Sequence, residues 1–157
     1  MKKAHFALGL FAVLLLSGCL NPPMSDAVPE DLEITYSYGA CHAEWGRTDI
    51  AIKADGSGVY ESGSGMMIGD RFANEEFRKT FRLSETELLN LLNAIEKSGF
   101  YSLGDYYTDP NTIDGSCEYV SVTKNNSTKS VSVSNTEPPA AYGQVAGMIS
   151  AVAESKT

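Results

Sequence analysis

Residues 84–103 read S-E-T-E-L-L-N-L-L-N-A-I-E-K-S-G-F-Y-S-L. Ser84 followed three residues on by Glu87 is a capping box, and the opening turn is acidic, as the positive end of a helix dipole favours. The spacing therefore predicts a helix starting at Glu85. Leu88, Leu89, Leu91, Leu92 and Ile95 recur at helical spacing, and Lys97 with Gly99 supplies the stop. One apolar stripe on a polar helix needs a surface to cover, so the stripe is core and the helix lies on a sheet.

The flanking sequence supplies that sheet. Over residues 32–38, Leu32, Ile34, Tyr36 and Tyr38 alternate with Glu33, Thr35 and Ser37, the pattern of a half-buried strand. Residues 48–54 and 58–61 flank Asp55-Gly56, a strong hairpin signal, and a two-residue turn there puts Ile52 opposite Val59. The Gly-rich stretch 62–69 reads as a mobile connection. Residues 77–83 alternate again, with Phe77, Phe81 and Leu83 inward and Arg78, Thr80 and Arg82 outward. Residues 117–124 and 128–133 flank Asn125-Asn126, whose tight turn would pair Val120 with Val131. The same residues form two overlapping glycosylation sequons, Asn125-Asn126-Ser127 and Asn126-Ser127-Thr128, but a hairpin tip also wants Asn for its left-handed backbone. Pro138 and Pro139 open a second helix over 140–153, with Tyr142, Val145, Met148, Ile149 and Val152 on one side. The expected fold is α+β: an antiparallel sheet of five to six strands in hairpins, one face covered by a long helix and a C-terminal helix.

The chain has 157 residues, 43% of them hydrophobic, which is enough for one core. A net charge of −8 leaves no electrostatic footprint for DNA or RNA, so no nucleic-acid partner is expected. Met1-Lys2-Lys3 and the uncharged run of 11 residues from Phe6 to Leu16 read as a signal peptide, residues 1–18. That run is too short to span a membrane, which takes about 20 apolar residues. It ends in Leu16-Ser17-Gly18-Cys19, which resembles the lipobox of prokaryotic lipoproteins. The resemblance implies that Cys19 becomes the first mature residue and carries fatty acyl chains such as palmitate, anchoring the domain outside the cytoplasm on the cell membrane or outer membrane. Residues 19–31 then read as lipidated Cys and linker, and 32–157 as one domain. Losing residues 1–18 removes Lys2 and Lys3 and no acid, so the exported part carries about −10.

With Cys19 lipidated, Cys41 and Cys117 are the remaining thiols in an oxidising compartment, and they can pair as a disulfide. The other reading of Cys41 is a reactive or metal-binding thiol beside His42, the one mature histidine. Adjacent strand residues point to opposite faces, which makes a joint site awkward.

Gly39-Ala40-Cys41, Asp55-Gly56 with Tyr60, the capped helix running into Phe100-Tyr101-Ser102-Leu103, Tyr106-Tyr107 and the late hairpin together resemble a family of small bacterial exported domains of unknown function, frequent in lipoproteins. The resemblance spans about residues 33–153. It implies a fold and no activity.

Motifs of catalysis are missing: no G-x-S-x-G, P-loop, H-E-x-x-H, C-x-x-C or G-x-G-x-x-G occurs, so no catalytic residue, metal or cofactor is expected. The candidate binding site is the loop 105–115, where Asp105, Asp109, Asn111 and Asp114 could offer oxygen ligands to calcium, although Ile113 falls where a further ligand belongs. Asp and Asn also serve there as ordinary turn residues. Arg78, Lys79 and Arg82 suit an anionic partner or a solvated strand face. Trp45, Tyr36, Tyr38, Tyr106 and Tyr107 are either recognition aromatics or core. The expected function is a membrane-tethered binding module of the cell envelope, its partner an envelope protein or glycan, with a carboxylate-dependent envelope hydrolase or an inhibitor of an envelope enzyme as alternatives.

Overall fold

A computed structural model describes residues 25–41, 46–68, 71–112 and 115–157; the expected signal peptide, Cys19, His42, Trp45, Ile113 and Asp114 lie outside the described residues. The strands are β1 (Glu33–Ala40), β2 (Arg47–Lys53), β3 (Ser57–Ile68), β4 (Arg71–Arg82), β5 (Tyr106–Thr108), β6 (Ser116–Lys124) and β7 (Ser127–Ser134). Helix α1 (Glu85–Lys97) follows β4, with a 3-10 turn over Phe100–Ser102, and α2 (Ala140–Glu154) follows β7. The strands form one sheet in the order β4-β3-β2-β1-β6-β7-β5, antiparallel except for β5, which runs parallel to β7.

The class is thus α+β with a mostly antiparallel sheet, and the strand count is seven rather than five or six. The additional strand, β5, has three residues, too few to show an alternation. The helix read as the long one is the shorter of the two, 13 residues against 15 in α2.

Both helices cover the same side of the sheet. Ile34 is paired with Ile52 and Val122, and Tyr36 with Ile50 and Val120, so alternate residues of three central strands make one apolar face. Leu88, Leu91, Leu92 and Ile95 of α1 and Tyr142, Val145 and Ile149 of α2 are buried against it. Each such side chain contributes about 1.5–3 kcal/mol of transfer free energy. The capping box forms as expected, with the Glu87 N–H donating to Ser84 Oγ (3.3 Å) and the Ser84 N–H to Glu87 Oε2 (2.9 Å).

Two turns decide the registers. Asn125 and Asn126 both adopt positive φ, +50° and +58°, and the two-residue hairpin they make pairs Val120 with Val131 as expected. The Asp55-Gly56 turn is one residue longer than expected. Ala54, Asp55 and Gly56 form a three-residue loop, closed by the Gly56 N–H to Lys53 carbonyl bond at 2.9 Å, with Gly56 at φ +80°. Ile52 therefore faces Gly58, and Val59 faces Ala51. Gly58 fits because the ring of Phe81 lies where its Cβ would stand, 2.3 Å from the nearest ring atom.

The segment 62–69 is not a loop over its described length. β3 continues to Ile68 and pairs with β4, with register shifts between Ser62 and Gly63 and between Ser64 and Met67. Glycine lowers strand propensity, which hid the strand, yet Gly63 is required where the Phe72 side chain and the Asn74 carbonyl would meet a Cβ at 2.6 and 2.5 Å. Phe77 is half-buried and packs edge-on against Tyr60 at 5.3 Å, while Phe81 and Leu83 reach the core.

Cys41 and Cys117 are bridged, with Cα atoms 4.7 Å apart, where β1 leaves its pairing with β6. The ladder already aligns these strands, so the bridge acts chiefly on the unfolded chain by closing a separation of 76 residues. Replacing both cysteines by serine should leave the sheet intact and lower stability by up to about 4 kcal/mol, measured by denaturant unfolding of the two proteins side by side. Equal midpoints would show that the bridge adds nothing.

Candidate functional site

Helices cover one face of the sheet, and the opposite face carries the polar alternates of every strand. Pairing brings Arg78, Glu61, Asp49, Ser37, Tyr119, Ser132 and Tyr106 into one cross-strand row, one residue from each strand from β4 to β5. At about 4.8 Å per strand the row is roughly 29 Å long. It divides into an ionic half on β4, β3 and β2 and a hydroxyl and aromatic half on β1, β6, β7 and β5.

The ionic half is closed. Glu61 accepts from the Arg78 guanidinium and is only 7% exposed. Burial pushes its carboxyl up, Arg78 opposes the rise, and Asp49 on the neighbouring strand adds to it. Asp49 Oδ2 accepts from Arg47 at 2.7 Å, and the same guanidinium stacks over the Phe72 ring, 5.3 Å from its centre. The Arg78 seen in sequence as a solvated or partner-seeking cation is therefore an internal counter-ion.

The other half is open. A concavity of about 350 Å³ is lined by Ser37, Ala40, Cys41, Arg47, Tyr106, Cys117, Glu118, Tyr119, Ser132 and Ser134. Tyr106 and Tyr119, 62% and 38% exposed, are the large hydrophobic side chains left in solvent among the described residues. Tyr119 Oη donates to Ser130 Oγ at 3.0 Å, which in turn meets Ser121 Oγ at 3.0 Å. Sulfur is present at the rim as the Cys41–Cys117 bridge, so neither cysteine serves as a free thiol there.

Among the described aromatic residues singled out in sequence, Tyr36 is buried and Tyr38 and Tyr107 pack on the core, leaving Tyr106 as the exposed one. Tyr119 was missed; its one signal is its place among the polar alternates of β6. Tyr36 Oη donates to Glu118 Oε2 at 3.2 Å on the helix side of the sheet.

The loop residues are distributed around β5. Asp105 precedes it and pairs with Lys129 at 2.5 Å. Asp109 follows it and caps its own turn: Oδ1 accepts from the Asn111 N–H at 2.9 Å and from its Nδ2 at 3.2 Å, and Oδ2 from Thr112 Oγ1 at 3.0 Å. The Asn111 N–H, then the Thr112 hydroxyl, hold Asp109 below the usual carboxylate range. Asp109 and Asn111 are thus joined and Asp105 stands apart from them. No group of three or more His, Cys, Asp or Glu side chains suited to a metal occurs among the described residues.

The site and fold define an α+β domain with one helix-packed face and one bare, hydroxyl-rich face. The chain belongs to the DUF6438 family, described as a domain of unknown function, whose model matches residues 32–153. The match begins at Leu32, the first buried core residue, and ends at Ala153, the last. Comparison with curated proteins gives no match.

Deleting the arginine of the buried pair is the sharpest test of the closed half. Arg78→Ala should destabilise the protein by about 3 kcal/mol, because Glu61 is left buried without its counter-ion. Since a raised carboxyl pKa means the folded state holds its proton more tightly, the loss should grow as pH rises above the ordinary carboxylate range and shrink below it. Denaturant titrations at pH 4 and pH 8 check both magnitude and sign.

Proposed function

We propose that the protein is a binding module of the cell envelope, lipid-anchored through Cys19, whose recognition surface is the open half of the bare sheet face. The observation that carries this reading is the pair of exposed rings, Tyr106 and Tyr119, flanking Ser132 in one row over a shallow concavity. Tyrosine is a frequent interface anchor, since its ring gives contact area at low entropic cost and its hydroxyl a hydrogen bond. The row is built on strands rather than loops, so the anchors are held in place before a partner arrives.

The hydrolase alternative has one observation in its favour, the directly paired Asp49 and Glu61. Both carboxylates already serve arginines and neither lines the concavity; Glu118, which does line it, accepts from Tyr36 Oη and has no second carboxylate beside it in the lining. Binding without catalysis is the better reading.

The anchor follows from the resemblance of Leu16-Ser17-Gly18-Cys19 to a lipobox behind an 11-residue apolar run. Mass spectrometry of protein purified from its own membranes should find a chain starting at acylated Cys19. A mature terminus at any other residue would remove the anchor from the reading.

For the recognition surface, the double variant Tyr106→Ala/Tyr119→Ala should weaken capture of envelope components by tenfold or more. Losing a hot-spot aromatic costs about 2 kcal/mol, and 1.4 kcal/mol is a factor of ten. Thermal unfolding should change little, since both rings are solvent-exposed. Undiminished capture by the folded variant rejects the surface.

A further inference from the structure

The linker read over residues 19–31 does not hang free over its described part. The Ser25 N–H donates to Asn93 Oδ1 at 2.9 Å, Asn93 Nδ2 returns a bond to the Ser25 carbonyl at 3.3 Å, and Ser25 Oγ donates to Glu96 Oε1 at 3.0 Å. Glu96 is itself paired with Lys124, the last residue of β6. Val28 packs against the core, and Asp31 accepts from the N–H groups of Asn125 and Asn126 at 2.8 and 2.6 Å. The strap therefore enters the domain at the end of the sheet that holds the Asn125-Asn126 tip.

Cys19 and Ser25 are six peptide steps apart, which span at most about 20 Å in any conformation. The concavity lies towards the opposite end of β1, beside the Cys41–Cys117 bridge. β1 has eight residues, so its two ends are about 23 Å apart. Resting on the lipid-anchored reading above, we propose that the strap at residues 25–31 sets the domain upright. The Asn125-Asn126 tip faces the bilayer, and the bridge end, with its concavity, points into the aqueous space of the envelope. The partner is accordingly a water-exposed envelope component standing tens of ångströms above the bilayer, and a lipid headgroup of the anchoring membrane is out of reach.

Energy transfer from the domain to the bilayer tests the orientation. Full-length lipidated protein, with the Cys41–Cys117 bridge kept oxidised, is labelled with a donor at Ser127→Cys or at Thr136→Cys and placed in vesicles carrying an acceptor lipid. Transfer from position 127 should exceed transfer from position 136 several-fold. Equal or reversed transfer overturns the proposal. Releasing the strap with Ser25→Ala/Asn93→Ala should lengthen the tether and shrink the contrast, and a contrast left unchanged would overturn the strap's assigned role. Mass analysis of the same sample reads acylation at Cys19 directly, so failure of the anchor is told apart from failure of the orientation.

Discussion

β1 is hydrogen-bonded on both sides, to β2 and to β6, and its register fixes which way every neighbouring side chain points. Ile34 and Tyr36 meet Ile52, Ile50, Val122 and Val120, all of them buried, while Thr35 and Ser37 meet Ala51, Asp49, Ser121 and Tyr119 on the other side. A slip of one residue would exchange these sets, burying Glu33 and Ser37 under α1 and α2 and lifting the isoleucines into water. The core, the ion pairs and the proposed recognition surface are therefore consequences of one alignment. It is enforced mainly by the apolar area that the helices cover.

The parts of the fold legible in sequence are those where local chemistry and tertiary packing agree. Ser84 and Glu87 cap α1 whatever surrounds them, and Asn125-Asn126 accepts positive φ at both positions, so this helix start and this register could be read directly. Asp55-Gly56 carries an equally local signal, but it does not say whether Ala54 belongs to the strand or to the turn, and that single residue moved Val59 away from Ile52. The end of β3 was hidden for the opposite reason. Its glycines make room for Phe72 and Asn74 of the partner strand, a contact no window of sequence contains.

Site legibility follows the same division. The turn role open to Asp109 and Asn111 is legible in sequence, because an Asx-type bond is local. The cross-strand row was invisible, since its seven members are spread from Ser37 to Ser132 and come together only through pairing of all seven strands. Tyr106 and Tyr119 are distinguished from Tyr36 and Tyr107 by strand parity and by what covers each face, not by residue type. Likewise Arg78 looks in sequence like its neighbours Lys79 and Arg82, and only the register that sets it opposite Glu61 makes it a counter-ion.

A sheet this long is weakest at its ends, where terminal pairs fray first. Fasteners outside the ladder hold both ends of its centre. At one end Asp31 ties the strap to the Asn125-Asn126 tip, and the Asn126 and Asn125 amides hold its carboxyl below the ordinary range, so the bond persists through mildly acidic conditions. At the other end the Cys41–Cys117 bridge joins β1 to β6 where their pairing stops. Ser37 and Tyr119 lie between these fasteners, on the same two strands. Fraying from either end must break a fastener before it reaches them. The β1–β6 part of the open half therefore rests on the most constrained part of the sheet, so Tyr119 would give up little backbone entropy on docking to the proposed partner, whereas Tyr106, on the edge strand β5, lies outside this fastened pair.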